Sequence, residues 1–131
     1  MRTGFFRMAS VAMAAVAALW LASAPGQAAP KEAPAAPPAF KRCAICHTAA
    51  PDAAHRVGPN LFGIAGSKAG TRPGYAYSPA LRQSGLVWTR ADLIAYIGNP
   101  AKTVPGTKMM NPSVTADADR LAIVQYLEKL K

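Results

Sequence analysis

Cys43 and Cys46 are the only cysteines in the 131-residue chain; they stand three positions apart, and His47 follows the second directly. Two thiols at that spacing on one helical turn reach one edge of a planar macrocycle, and the adjoining imidazole projects over its face. Thioethers from both sulfurs to the vinyl groups of a haem, with the imidazole on the iron, use all three groups, and Cys-x-x-Cys-His is the attachment pattern of c-type haem. Three other uses of these residues explain less. A thioredoxin-like redox pair needs a strand–helix setting, whereas the flanks are Ala/Pro-rich on one side and polar on the other. A zinc site needs two more ligands and only His55 remains. A structural disulfide gives His47 no reason to be there.

A haem that carries electrons without oxygen chemistry needs its sixth iron position filled. Methionine, a neutral and soft ligand that raises the potential, suits this. Beyond the apolar N-terminal run the methionines are Met109 and Met110, after Pro105-Gly106-Thr107-Lys108, a turn of low helix propensity that can carry a side chain over the far face. On the residues alone either methionine serves, although a methionine more commonly fills core space.

The elements that must position these groups read as helices joined by loops. A first helix is expected from about Pro37–Ala39, carrying Cys43 to His47. Pro51 to Tyr77 is a Gly/Pro-rich loop. Ser78-Pro79 opens a short helix that Gly85 closes, and Thr89 with Asp92 opens another over Arg90 to Ile97, ended by Gly98 and Pro100. Thr115 is the expected cap of the last helix. Asp117 and Asp119 fall in its first turn, Lys129 and Lys131 in its last, and Ile123, Val124, Leu127 and Leu130 form its apolar stripe. No strand-period run or internal repeat is visible.

Upstream, Arg2 and Arg7 flank a basic opening and Met8 to Leu21 is uncharged and apolar. Its length suits a signal-peptide core of about 7–15 residues better than a span of about 20. Residues 1–28 are therefore read as a signal peptide cleaved after Ala28; the alternative is an uncleaved tether through residues 8–24. Residues 29–38, rich in Ala and Pro, form a leader that cannot bury apolar surface. Residues 39–131 are one small domain, short enough that a large apolar prosthetic group supplies part of its core. Of 15 Lys+Arg, 13 lie beyond the signal with all 6 Asp+Glu, a mature charge of +7. That charge suits an acidic partner or an anionic surface. No basic run with interleaved aromatics supports nucleic-acid binding.

Three separated motifs carry a resemblance: Cys43-Ala44-Ile45-Cys46-His47; Val57-Gly58-Pro59-Asn60-Leu61; and Asn99-Pro100 with Pro105-Gly106-Thr107-Lys108-Met109. The chain resembles the class I cytochromes c, near the mitochondrial type and its soluble bacterial relatives, over about Cys43 to Lys131. The resemblance implies an all-α fold, three to five short helices wrapped around one covalently bound haem c, with long Gly/Pro-rich loops. It implies that Cys43 and Cys46 hold the haem and that His47 and Met109 ligate its iron. It further implies that the Pro59 carbonyl accepts from the imidazole, Tyr96 hydrogen-bonds the methionine sulfur, Tyr77 and Trp88 donate to a propionate, and Thr107 makes another polar contact. His55 matches a histidine that pins a loop. Arg42, Arg56, Lys102 and Lys108 match positions of a basic docking ring.

The chain departs from the resembled pattern in places. Ser67 stands where an arginine near the propionates is expected, Leu81 replaces a polar residue, and Asn111 replaces an exposed aromatic. Ala35 and Ala39 take the places of the glycine and aromatic of the first helix, with Phe40 expected to fill the gap. The expected function is one-electron carriage without substrate or bond breaking. The protein is expected as an exported, periplasmic monomer shuttling between a membrane donor and an oxidase or similar acceptor with an acidic docking face. A tethered subunit of a larger oxidoreductase, and a haem peroxidase or sensor with an open iron position, are the alternatives.

Overall fold

The computed structural model describes residues 33–131. The signal peptide, its cleavage after Ala28, the tether through 8–24 and the start of the leader lie outside the described residues. Ala33 to Pro37 has no regular structure, and Pro37 takes the φ −66°, ψ 153° of polyproline geometry. A 3-10 turn, Pro38–Phe40, leads into α1, Lys41–Ala44, followed by α2, Pro79–Gln83; α3, Arg90–Gly98; α4, Pro100–Thr103; and α5, Asp117–Lys129. Five short helices joined by long loops are what the resemblance implied.

The two internal helix starts follow their sequence signals. Ser78 accepts from the Leu81 N–H at 3.2 Å with Pro79 in the first turn, and Gly85, at φ +68°, leaves the helix by the left-handed turn that glycine permits. Thr89 accepts from the Asp92 N–H at 3.2 Å and its hydroxyl donates to Asp92 Oδ2 at 2.5 Å, so the pair caps the helix, while the Thr89 N–H goes to the Val87 carbonyl instead.

Three element assignments need correction. α1 stops at Ala44, so Cys46 and His47 sit in the turn beyond it, although the Cys43 carbonyl still accepts from both their N–H groups at 3.1 and 2.9 Å. Asn99-Pro100 does more than end α3: Asn99 Oδ1 accepts from the Lys102 N–H at 3.0 Å and Pro100 begins α4, an N-cap and first-turn proline in the expected chemistry but one helix more than expected. Thr115 does not cap α5. Ala116 holds that position without a side-chain bond, and the Val114 and Thr115 carbonyls accept from Arg120 Nη1 at 2.8 Å each. Lys131 likewise falls beyond the last turn.

α5 is the spine of the core. Ile123 and Val124 are fully buried, with Leu127 and Leu130 close behind, against α3 and the 3-10 turn. Burial of each such side chain stabilises by about 1.5–3 kcal/mol. Phe40 fills the gap left by Ala39, edge-on to Tyr126 at 4.8 Å. The loop before α2 is pinned by a short antiparallel crossing, with bonds of 2.8–2.9 Å from Gly66, Ala69 and Trp88 N–H groups to Trp88, Leu86 and Ser67 carbonyls. Among the described residues no helix is long and apolar enough to cross a membrane.

Candidate haem site

A cavity of about 410 Å³ opens beside α1, within the range of about 300–1,000 Å³ for cofactor sites. Its walls include Leu61, Ile64, Leu81, Trp88, Leu93, Ile97 and Leu127; Cys43, Cys46, His47 and Met109 all face it. Tyr77, Tyr96, Pro59 and Thr107 are also in the lining, so every residue assigned to the cofactor and its iron is brought to one cavity. The donor set fits a haem: two free thiols, an imidazole and a thioether in an apolar enclosure. Burial first, and then Cys46, pushes the Cys43 thiol up to about 11, the opposite of the lowered value that a thioredoxin-type redox thiol requires.

His47 is held by backbone on three sides. Its Nδ1 lies 2.7 Å from the Pro59 carbonyl, which can only accept, so Nδ1 carries the proton and the Nε2 lone pair is free for a metal. Burial lowers the imidazole's pKa and the Pro59 bond opposes that only in part, so the ring is neutral at neutral pH. Gly58 passes so close that a Cβ there would sit 2.2 Å from His47 Cε1, and its N–H donates to the Cys46 carbonyl at 2.8 Å. Gly58 was legible in sequence only as a turn residue; its contact with the imidazole was not.

Beneath this, Asn60 and His55 fix the loop. The buried Asn60 amide donates to the Ala50 and Ala53 carbonyls at 2.8 and 2.9 Å, and its oxygen accepts from the Phe62 N–H at 2.9 Å. His55 accepts from the Asn60 N–H at 3.0 Å and donates to the Pro73 carbonyl at 2.9 Å, so both its nitrogens are occupied. Asn60 carries no signal of this role beyond its buried-polar character.

The methionine side is built differently. Met109 is half-buried, whereas Met110 is 78% exposed. The Met109 N–H donates to Thr107 Oγ1 at 3.3 Å, and Tyr96 OH meets that same Oγ1 at 2.5 Å. Tyr96 is thus tied to Thr107, two residues before Met109. Trp88 and Tyr77 are buried, with the Trp88 ring 4.9 Å from that of Tyr96. Ser67 donates to the Ile64 carbonyl at 2.7 Å and takes no part in the wall. Burial raises the Tyr77 and Tyr96 pKa values, keeping both phenols as donors.

Three of the four expected docking cations make backbone bonds. Arg42 Nη1 donates to the Ser113 and Pro112 carbonyls at 3.2 and 3.5 Å, and Arg56 Nη1 to the Ala44 carbonyl at 2.9 Å. Lys108 Nζ donates to the Ala76 carbonyl and lies 5.6 Å over the Tyr75 ring, whose hydroxyl donates to the Val57 carbonyl at 2.7 Å. Tyr75 was not foreseen as a rim residue. Lys102 is exposed on α4. Arg42 and Lys108 line the cavity and Arg56 and Lys102 do not; Ile45, Val57 and Met110, also in its lining, are 70–78% exposed.

No protein-family model matches the chain. It is 41% identical over 117 residues to cytochrome c2 of Rhodomicrobium vannielii, covering 89% of this chain and 91% of that one. To cytochrome c2 of Rhodoblastus acidophilus it is 48% identical over 92 residues, 70% of this chain and 86% of that one. Its fold superposes on cytochrome cH from Methylobacterium extorquens with a TM-score of 0.64 at 43% identity, covering 69% and 90% of the two chains. Those identities run the length of the domain that builds the cavity, and the cavity offers the donor set that the shared chemistry requires; the chain belongs to the class I cytochromes c, one-electron carriers with a single covalent haem.

Proposed function

We propose that the protein is an exported electron shuttle, taking electrons singly from a membrane donor and passing them to an oxidase or similar acceptor. Cys43 and Cys46 would hold the haem through thioethers, and His47 and Met109 would ligate its iron. The observation that carries the reading is the half-buried His47, with Nδ1 engaged by the Pro59 carbonyl and Nε2 free, facing an apolar cavity that both thiols and Met109 share. Bound there, haem supplies a ferric/ferrous couple of one electron. The chain's own part is to hold the imidazole by Pro59, keep water out with its aliphatic wall, and present a basic rim with an apolar centre.

Carriage is favoured over a peroxidase or sensor because Met109 faces the cavity along with His47, the only imidazole or carboxylate on its wall among the described residues. The exposed Ile45, Val57 and Met110 suit a dry contact between redox centres, and Arg42, Arg56, Lys102 and Lys108 suit an acidic partner. Export follows from the N-terminal segment, with the mature chain starting at Ala29.

Mass spectrometry of the exported protein is expected to give a chain from Ala29 plus one haem, with a low-spin spectrum and a methionine–iron charge-transfer band. Electron transfer to an acidic partner should slow steeply with salt, since exposed charges are screened over about 8 Å and steering contributes about 10–1,000-fold. A high-spin spectrum would sink the carrier reading. Intact Met1 in the membrane fraction would replace the shuttle by a tethered subunit.

A further inference from the structure

No residue from Thr107 to Ala116 lies in a helix or strand, so the stretch that carries Met109 must be held by side chains. Two arginines hold it. Arg42, next to the attachment cysteine, donates to the carbonyls of Pro112 and Ser113; Arg120, on α5, donates to those of Val114 and Thr115. Four consecutive carbonyls thus end on two guanidinium groups, approached from opposite ends of the sequence.

The anchors differ in firmness. Arg120 is largely buried, is paired with Asp117, and runs its aliphatic stem beneath Gly98, where a Cβ would come within 3.3 Å of its Cδ. Arg42 is exposed and its contacts, 3.2 and 3.5 Å, are long. Between them Ser113 sits at φ +57°, a backbone state that a non-glycine residue keeps only where its surroundings impose it. The Asn111 side chain, accepting from the Ser113 N–H at 2.8 Å, adds a local brace.

We propose that Arg42 and Arg120 are positioning residues that clamp the 112–115 segment and thereby keep Met109 at the cavity, Arg42 being the end that yields first. The consequence rests on the reading of Met109 as iron ligand. Arg42 is then a strut between the attachment helix and the methionine loop as well as a docking charge, and the two roles separate on substitution. Lysine keeps the charge but is one bond shorter, and contacts already at 3.2–3.5 Å leave no slack for it.

The test uses the holo protein and follows imidazole binding to the ferric form, which requires Met109 to leave the iron, together with amide exchange across residues 109–116. Arg42→Lys and Arg120→Lys are expected to raise both rates roughly 2- to 10-fold, the loss of about one net hydrogen bond. Lys129→Gln, at the far end of α5, should change neither. Wild-type rates of imidazole binding and of amide exchange in Arg42→Lys would overturn the clamp. A wild type without the methionine–iron band would instead defeat the ligand reading, and amide exchange would still decide the clamp, because it does not depend on the iron.

Discussion

The two iron-binding side chains reach the same cavity by opposite means. His47 is fixed by neighbours in sequence: the Cys43 carbonyl four residues back, Gly58 against its ring, and the Pro59 carbonyl twelve residues on. Met109 lies in a stretch without regular structure, secured by Thr107 and Tyr96 and by side chains as far off as Arg42, seventy residues from the carbonyls it meets. A backbone-built face has few ways to open, whereas a face laced by side chains opens one bond at a time. The histidine side is therefore the rigid half of the site and the methionine side the adjustable one, and the two halves should answer mutation differently.

The largest effect is expected at Gly58. Its conformation is not the issue; the space is, because an added Cβ would overlap the imidazole at 2.2–2.7 Å across three ring atoms. Either the ring swings off the Pro59 carbonyl or the 56–60 loop moves. Overpacking of this kind costs about 1–3 kcal/mol or more, and here it falls on the iron ligand itself. Gly58→Ala should sharply reduce the yield of holo protein with a low-spin spectrum, and any that forms should melt well below wild type. A variant of normal yield and spectrum would mean that the histidine face is no more rigid than the other.

On the adjustable face the expected effect is specific and leaves the fold standing. Met109→Ala should abolish the methionine–iron band and lower the potential while the covalent haem remains. Met110→Ala, removing a side chain that is 78% exposed, should leave both unchanged. An exchange of the two outcomes would move the ligand one residue along and put Thr107 on the wrong side of it.

What could be read from sequence divides along the same line. The histidine face was nearly all legible, because Cys43, Cys46 and His47 are contiguous and the Pro59 motif is a short-range signal. Helix starts at Ser78 and Thr89 obeyed local capping chemistry. The apolar stripe of α5 followed helical period. The failures came where a distant side chain decides local structure. Thr115 has the right residue type to cap α5, yet Arg120 takes its carbonyl and the helix begins at Asp117. The tie between Tyr96 and Thr107, 2.5 Å apart, likewise has no signal in the sequence. Arg42 reads as a surface charge until the fold brings residues 112 and 113 beside it. α4 is a different failure: Asn99-Pro100 is a helix-starting signal as much as a stopping one, and only the stop was read.

The smallest effect, and the control on the comparison, belongs to the ion pair between α3 and α5. Arg90 Nε and Nη2 donate to the two oxygens of Glu128 at 2.9 and 2.6 Å, a two-pronged bridge from the start of one helix to the end of the other. The hydrogen bonds from Arg90 are the chief cause of a Glu128 pKa below the ordinary glutamate value, and their attraction is weakened by solvent, since the Arg90 side chain is 55% exposed. A carboxyl with its pKa lowered in the folded state binds fewer protons there than in the unfolded chain. Its contribution is therefore complete above the unfolded value of about 4.3 and disappears as pH falls through the folded value. Glu128→Gln should melt slightly below wild type at pH 7, with the gap narrowing in high salt and narrowing again as pH falls below the unfolded glutamate value. It touches neither half of the site, so the low-spin spectrum, the methionine–iron band and the rate of imidazole binding should all stay at wild-type values. A faster imidazole rate in Glu128→Gln would show that the methionine face responds to any loosening of α5, and the contrast between a rigid histidine side and a separately laced methionine side would fall with it.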